Sequence, residues 1–198
     1  MSARAVRPRD AASLILIRRT AGGPEVLMGR RPPRSAFAPD VFVFPGGRLE
    51  RADFDIRPGR PLDPACARRA GATPRIAQAL ACAAVRETAE ETGLTLGDPA
   101  APDLSSLTLL ARAITPSNSP IRFHARFFLT DAENASGDLG GDDELADLAF
   151  RPLAEALRLP LFDVTEALLR SLVESGGRAP APYLFAYRNG RPALRTLA

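Results

Sequence analysis

Hydrophobic runs in the first quarter of the chain are short and follow one another closely. The run "AASLILI" (11–17) has the length and aliphatic content of a buried strand. "GGP" (22–24) marks a turn, and "EVLMGRR" (25–31) after it is typical of a second strand. A third run, "VFVF" (41–44), ends at the turn residues "PGG". The pattern therefore predicts a hairpin followed by a third strand.

The spacing of the apolar positions changes after this point. Residues 48–73 contain three prolines among mixed charges and show little periodicity, which predicts a loop or irregular insertion. Thr73 and Pro74 are typical of the N-cap and first turn of a helix. That helix is expected to run to about Thr92, because Gly93 can adopt the left-handed conformation of a C-terminal cap.

Later segments alternate irregularly between strand and helix patterns. The expected elements are strands at 107–114, 122–130 and 145–153, helices at 153–159 and 164–175, and a hairpin at 183–197 around an Asn-Gly turn. No internal repeat or linker divides the chain, so a single domain over residues 1–198 is expected. The irregular order favours one mixed α/β layer structure over a doubly wound parallel sheet.

Three glutamates extend the packed stripe of the helix predicted at 74–92. Apolar residues recur there at three- and four-residue spacing, and the same stripe continues onto Glu87, Glu90 and Glu91. Like charges at this spacing repel by roughly 0.2–0.5 kcal/mol per pair. Arg86 can neutralise only part of the charge. Either the helix end is a solvated acidic surface, or it holds a hard divalent cation such as Mg²⁺, which prefers oxygen ligands.

Composition and charge restrict the class of partner. The chain is 45% hydrophobic and 25% charged, as is ordinary for a globular protein. All 26 basic residues are arginine, and a net charge of +3 without a dense basic block suits small anionic ligands better than nucleic acid. Cys66 and Cys82 are too few for a disulfide framework or a zinc site. The N-terminal residues resemble neither a signal peptide nor a membrane span, so we expect a cytoplasmic protein.

Other chemistry-bearing residues carry weaker signals. His124 is the only histidine and lies in a strand pattern, so a structural role or one at the edge of a substrate site is expected. A Ser-His-Asp hydrolase is not expected, because no other histidine is present to support one. Cys82 lies in the predicted helix, and its side chain is expected to be buried in the protein core.

The segment "RETAEETGL" (86–94) resembles the signature of the Nudix hydrolases. That signature is G-x5-E-x7-R-E-U-x-E-E-x-G-U, in which U is a bulky aliphatic residue. The family's opening "FPGG" is present at 44–47, and the matching positions after it are Arg86, Glu87, Glu90, Glu91, Gly93 and Leu94. Three features depart from the signature: 30 residues (48–77) follow Gly47, the first glutamate is replaced by Gln78, and Thr88 occupies the aliphatic position.

The segment that carries this signature, from Gly47 to Leu94, is called the box below. The resemblance implies an α/β/α sandwich with a mixed sheet and an insertion within the box at 48–77. It also implies hydrolysis of a nucleoside diphosphate linked to another moiety, with Mg²⁺, or Mn²⁺ in its place, as cofactor. Glu90 and Glu91 would be the main metal ligands, with Glu87 as ligand or base and the carbonyl of Gly47 completing the shell. Arg86 would hold the cluster through a charge-assisted hydrogen bond.

A further acid serves as the base in many relatives. Glu144 is the leading candidate in this chain, with Glu133 and Asp143 behind it. The alternative for the glycine-rich loop 137–144 is a solvated acidic turn.

The enlarged box resembles the coenzyme A diphosphatase branch of the family. Leu27 and Arg31 match the motif that precedes the box in that branch, but its second arginine is displaced to Arg34 and its glycine is replaced by Asp40. Arg31 or Arg34 could therefore bind the 3′-phosphate of coenzyme A, or belong to an ordinary surface group.

The resemblance leaves other substrates and roles open. One alternative is an ADP-ribose or NADH pyrophosphatase, for which Phe37 or Phe123 could stack on the base. Another is a catalytically silent nucleotide-binding or regulatory domain, which Gln78 and Thr88 would suit. The insertion is expected to form a flap or extra lobe near the site, or else a surface loop, and a homodimer is possible.

Overall fold

A computed structural model describes residues 6–34, 39–71, 73–140 and 144–197. Nine of the described strands form one mixed sheet: β1 (Arg9–Thr20), β2 (Gly23–Arg30), β3 (Phe42–Val43), β4 (Gly46–Arg48), β7 (Thr108–Ile114), β8 (Phe123–Asp131), β9 (Ala146–Pro152), β10 (Tyr183–Arg188) and β11 (Arg191–Thr196). A separate small pair consists of β5 (Gly97–Asp98) and β6 (Ala101–Pro102).

The sheet has the order β11-β10-β7-β8-β1-β2-β3, with β4 paired to β1 and β9 paired to β2. The pairs β1–β8 and β7–β10 are parallel, and the other pairs are antiparallel. The long central strand β1 is therefore held by β8 on one side and by β2 and β4 on the other. This arrangement brings the turn before β4 to the middle of the sheet.

Helices cover both faces of the sheet. They are α1 (Pro64–Arg69), α2 (Pro74–Thr92), α3 (Leu153–Ala156) and α4 (Asp163–Glu174), and short 3₁₀ turns lie at Ala52–Phe54 and Ala132–Asn134. Alternate residues of β1 point to opposite faces: Leu14 and Leu16 pack in the core under α2, and Ile15 packs in the core under α4. The predicted α/β/α sandwich with a mixed sheet is confirmed. No helix in the described ranges is long and apolar enough to cross a membrane.

Local capping explains where α2 begins and ends. The Thr73 side chain accepts a hydrogen bond from the backbone N–H of Ile76 at 3.3 Å, and Pro74 occupies the first helical position. Gly93 ends the helix with φ +74°, and a Cβ there would lie 2.6 Å from the carbonyl oxygen of Asp138. The predicted helix at 74–92 is confirmed, because both of its end signals are local.

The segment predicted as irregular, 48–73, is more structured than its composition suggests. It contains α1, whose N-cap Asp63 accepts hydrogen bonds from the backbone N–H groups of Ala65 at 2.8 Å and Cys66 at 3.0 Å. Leu62 and Cys66 are buried in the same core as α2. The prediction of a loop was wrong at this point because an Asp-Pro start with only one turn of helix behind it gives little periodicity.

A cluster of charged residues joins this segment to the sheet. Arg126 of β8 is only 2% exposed, and its guanidinium donates to the carboxylate of Asp10 and to the carbonyl oxygen of Ala70 at 3.2 Å. Arg112 lies beside it and donates from Nε to the Nε2 atom of His124 at 3.3 Å. Burial, followed by the charges of Arg126 and Arg112, lowers the pKa of His124 to about 4. His124 is therefore a neutral hydrogen-bond acceptor for Arg112. This is consistent with a structural role, one of the two roles expected from the sequence.

This depressed pKa predicts a pH-dependent stability. Between the unfolded pKa of about 6.5 and the folded pKa of about 4, the unfolded chain binds the proton more tightly than the folded chain does. Stability contributed by neutral His124 is therefore lost as the pH falls through this window, by about 1–2 kcal/mol near pH 5. Urea unfolding at neutral pH and near pH 5 should show a smaller loss for His124→Gln than for the wild type. Equal losses in the two proteins would contradict the assignment.

Candidate active site

Two glycines bring the start of β4 against the C-terminal half of α2. The backbone N–H of Gly46 donates to Oε2 of Glu91 at 2.8 Å. A Cβ on Gly46, whose φ is +152°, would lie 2.4 Å from the carbonyl oxygen of Ala12 on β1. A Cβ on Gly47 would lie 2.3 Å from Oε1 of Glu87. Only residues without side chains allow this close approach of the strand to the carboxylates.

The three glutamates of the helix differ in burial. Glu91 is 7% exposed, the side chain of Glu87 is 13% exposed, and that of Glu90 is 52% exposed. Burial raises the pKa of Glu87 above its ordinary value, the charge of Arg86 opposes this effect, and the charges of Glu90 and Glu144 add to it. Glu144 therefore lies close enough for its charge to act on Glu87.

Arg86 connects two of these carboxylates. Its Nη1 atom lies 3.0 Å from Oε1 of Glu87 and 2.9 Å from Oε2 of Glu90. Its Nε atom donates to Oδ1 of Asp53 at 2.9 Å, and its Nη2 atom donates to the backbone oxygen of Arg48 at 3.3 Å. Burial alone would lower the pKa of Arg86, but the hydrogen bond with Asp53 and the three carboxylate charges raise it above its ordinary value. The expected bond between Arg86 and Glu90 is present.

Asp53 is the residue of this group that the sequence reasoning missed. Its side chain is fully buried, and its Oδ2 atom accepts hydrogen bonds from the backbone N–H of Glu50 at 2.7 Å and from Nη2 of Arg86 at 3.3 Å. Five residues separate Gly47 from Asp53, the same spacing as between the glycine and the first glutamate of the Nudix signature. That spacing is the signal that could have identified it.

The carboxylates do not all converge on one point. Within the part of the chain that the structure describes, no three Asp, Glu, His or Cys side chains are gathered closely enough to form a metal-binding group. Glu90 is drawn towards Arg86, and Glu91 accepts its bond from Gly46. The site consists of these three glutamates on the C-terminal half of α2, with Gly46 and Gly47 at the start of β4 packed against Glu91 and Glu87.

Other predicted residues lie outside this group. Arg31 is at the connection between β2 and β3, where its backbone N–H donates to Val41 at 3.0 Å, and Arg34 is exposed in the same connection. Glu133 is exposed in the 3₁₀ turn after β8. Phe123 is half-buried, and the guanidinium of Arg48 lies 5.9 Å from the centre of its ring. The remaining candidates, Phe37 and Asp143, fall outside the described residues.

A basic cleft is lined by the start of β1 and by residues that directly follow Gly47. It has a volume of about 510 Å³. Four arginines and two acids line it: Arg7, Arg9, Arg48, Arg51, Asp10 and Glu50. A larger cleft of about 610 Å³ lies between α1, β7 and the C-terminal segment, but its lining includes none of the glutamates or glycines described above. The lining of the smaller cleft does not include them either, but it includes Arg48, which directly follows Gly47, and it carries a surplus of positive charge.

The chain is similar in sequence and in fold to known proteins. The model of the NUDIX domain family matches residues 7–172. The fold is similar to a NUDIX hydrolase from Alicyclobacillus acidocaldarius, with 29% identity over 85% of this chain and 92% of that chain and a TM-score of 0.69. It is also similar to a mutator MutT protein from Bacillus halodurans, with 16% identity over 94% of this chain and 96% of that chain and a TM-score of 0.56.

A third similar structure is the NUDIX domain of Shewanella oneidensis NrtR in complex with ADP ribose. It shares 14% identity over 86% of this chain and 89% of that chain, with a TM-score of 0.57, so the likeness concerns the fold alone. No curated protein matches the chain. The family model covers most of the sequence, and the glutamates of the box lie on the helix that faces Gly46 and Gly47 at the start of β4. This chain therefore belongs to the NUDIX domain family and is a Nudix hydrolase.

Proposed function

We propose that the protein is a Mg²⁺-dependent pyrophosphohydrolase that cleaves a nucleoside diphosphate linked to another moiety. The observation that carries the proposal is the packing of Gly46 and Gly47, at the start of β4, onto the carboxylates of Glu91 and Glu87. Two segments 45 residues apart bring backbone groups and carboxylate oxygens side by side there. Carbonyl and carboxylate oxygens suit a hard divalent cation.

The donor set tests whether such an ion fits. Glu87 and Glu91 are largely buried anions, and Arg86 neutralises only part of the charge around them, so a divalent cation would relieve their repulsion. We assign the carbonyl of Gly47 and the carboxylates of Glu87, Glu90 and Glu91 as its ligands. Mg²⁺, or Mn²⁺ in its place, would neutralise phosphate charge and lower the pKa of a bound water.

Residues of the chain would supply the remaining roles. Arg86 keeps Glu87 and Glu90 in place through its Nη1 atom. Glu144 is our candidate for the general base that accepts a proton from the attacking water, because its charge already acts on Glu87. Glu87 is the alternative base. Burial raises the pKa of its carboxylate above the ordinary value, which makes it a stronger base than an exposed glutamate.

We propose coenzyme A or its thioesters as the substrate. They carry a 3′-phosphate in addition to the pyrophosphate, and guanidinium groups bind such a dianion in a bidentate manner. The sequence predicts Arg31 and Arg34 as partners of this phosphate. The basic cleft, whose lining includes Arg48 next to Gly47 in the sequence, offers a second set in Arg9 and Arg51. ADP-ribose is the alternative, which the complex of the NrtR domain makes worth including in the test.

A substrate comparison tests this proposal. Turnover of coenzyme A should exceed that of 3′-dephospho-coenzyme A, ADP-ribose and NADH in kcat/KM by about tenfold or more, since a charge-assisted contact is worth about 1.5–3 kcal/mol. Arg9→Ala plus Arg51→Ala should be compared with Arg31→Ala plus Arg34→Ala, and with exposed Arg191→Ala as control. The pair that removes the preference identifies the phosphate site. An unchanged rate without the 3′-phosphate, or a best rate with ADP-ribose, would contradict the proposal.

A catalytically silent nucleotide-binding domain is the second candidate. Its support is the departure of the box from the family signature at Gln78 and Thr88. Thr88, at the aliphatic position of the box, is accommodated in the buried helix by a bond from its hydroxyl to the carbonyl oxygen of Ala84 at 2.7 Å, so this departure does not disturb α2. Binding without product for every compound, and no shift of melting with Mg²⁺, would favour this candidate. Cytoplasmic location, a homodimer and the lack of a nucleic-acid partner remain predictions.

A further inference from the structure

Arg86 holds the side chains of two of the three glutamates, Glu87 and Glu90, in position. Ordering an arginine side chain costs up to about 2 kcal/mol of rotamer entropy. An arginine that is already held by another partner therefore binds two carboxylates at a lower entropic cost. In this chain, one nitrogen of Arg86, Nη1, contacts both Glu87 and Glu90. The other two nitrogens face away from the glutamates towards the segment that follows β4.

Asp53 supplies the anchor. Its two carboxylate oxygens receive Nε at 2.9 Å and Nη2 at 3.3 Å from Arg86, a two-point contact that fixes the plane of the guanidinium. The carboxylate is itself fixed, since Oδ2 accepts the backbone N–H of Glu50 at 2.7 Å and the side chain has no exposed surface. The backbone oxygen of Arg48 accepts a further bond from Nη2. Arg86 is therefore held from one side and holds the glutamates on the other.

The position of Asp53 in the sequence matches this role. It follows Gly47 by the spacing that separates the glycine from the first glutamate of the box. Gln78, which has that glutamate's spacing to Arg86, lies in α2 eight residues before Arg86, which is about 12 Å along the helix axis. The structure gives Arg86 a carboxylate partner at Asp53 instead.

We propose that Asp53 is the positioning residue of the box, that it takes the place of the missing glutamate, and that the inserted residues lie between Asp53 and Arg86. The expected boundary of the insertion directly after Gly47 then moves beyond Asp53. The inference rests on the proposed metal-dependent hydrolysis for its effect on rate, but the anchoring of Arg86 by Asp53 can be measured without substrate.

The test compares Asp53→Asn with Asp55→Asn, an exposed aspartate two residues along the same turn. Asp53→Asn should lower kcat by about 10–100-fold, the range for groups that orient metal ligands, with little change in KM. It should also weaken Mn²⁺ binding, titrated without substrate, by a similar factor. Asp55→Asn should leave both unchanged. A purely structural role would lower the melting temperature of Asp53→Asn without changing its Mn²⁺ affinity or kcat, and that outcome would overturn the proposal.

Gln78→Glu provides a second test that separates the two possible positions of the acid. Added to Asp53→Asn, it should not restore kcat or Mn²⁺ affinity, because position 78 is two turns of helix away from Arg86. Recovery would show that the acid of the box belongs at 78, which would overturn the proposal. Asp53→Glu keeps the negative charge at position 53, so its kcat should lie between the values for Asp53→Asn and the wild type.

A double-mutant cycle keeps the inference testable if Asp53→Asn is poorly folded. Arg86→Lys removes the two-point contact but keeps a positive charge. Asp53→Glu should then reduce kcat in the wild-type background but have little further effect in Arg86→Lys, as expected for residues that act as a unit. Additive losses would overturn the proposal. A wild-type protein that neither turns over any nucleoside diphosphate derivative nor binds Mn²⁺ would instead reject the proposed function.

Discussion

Glu91→Gln and Glu90→Gln should each lower kcat by about a hundredfold or more, the scale for groups that balance developing charge. The amide removes the anionic ligand that a divalent cation requires. The fold should tolerate both changes. The amide oxygen at position 91 can still accept the bond from the N–H of Gly46, and Glu90 is half exposed, so its ion pair with Arg86 contributes little. Removal of one of three neighbouring negative charges should leave the melting temperature equal or higher.

Glu174→Gln is the matched control for these variants. Glu174 is exposed at the end of α4, on the opposite face of the sheet from the box. The measurements are initial rates at saturating Mg²⁺ and thermal melts without metal. Near-normal turnover in both Glu90→Gln and Glu91→Gln would reject the assignment of these residues as metal ligands. A large loss of stability would instead show that their carboxylates hold the fold together.

The two glycines of the box should respond to alanine in opposite ways. In Gly47→Ala, the new Cβ would lie within 2.5 Å of both carboxylate oxygens of Glu87. The end of a side chain can move, so stability should change by less than about 1 kcal/mol. Glu87 would be displaced from its position beside β4, and kcat should fall by about tenfold or more.

Gly46→Ala should act mainly on stability. Its Cβ would lie 2.4 Å from the carbonyl oxygen of Ala12 and 2.5 Å from Cα of Ser13, so β1 itself would have to move. The φ of +152° adds backbone strain, and the combined cost should be about 2–4 kcal/mol. Gly140→Ala is the control, because a Cβ added to Gly140 would meet no other atom within 4 Å among the described residues. Chemical unfolding and kcat should be measured for all three variants. If Gly46→Ala and Gly47→Ala lost the same amounts of stability and of kcat, the assigned contacts would be contradicted.

Local signals in the sequence determined the elements that frame the site. Helix α2 was predictable because Thr73, Pro74 and Gly93 each act within one turn of its ends. The strand β1 was predictable because consecutive aliphatic residues are typical of a strand that is buried on both faces of a sheet. The spacing of the glutamates and of "FPGG" was likewise a local pattern, and it sufficed to identify the family.

Only the tertiary structure decided which residues surround those elements. Asp53 and Arg86 are 33 residues apart, and Asp10 and Arg126 are 116 residues apart, so no periodicity along the chain connects either pair. The basic cleft likewise combines Arg9 from β1 with Arg51 from the turn after β4. Helix propensity, capping and strand alternation are properties of a few neighbouring residues. A buried ion pair depends on the register of strands and the path of connections, which are fixed only when the whole core packs.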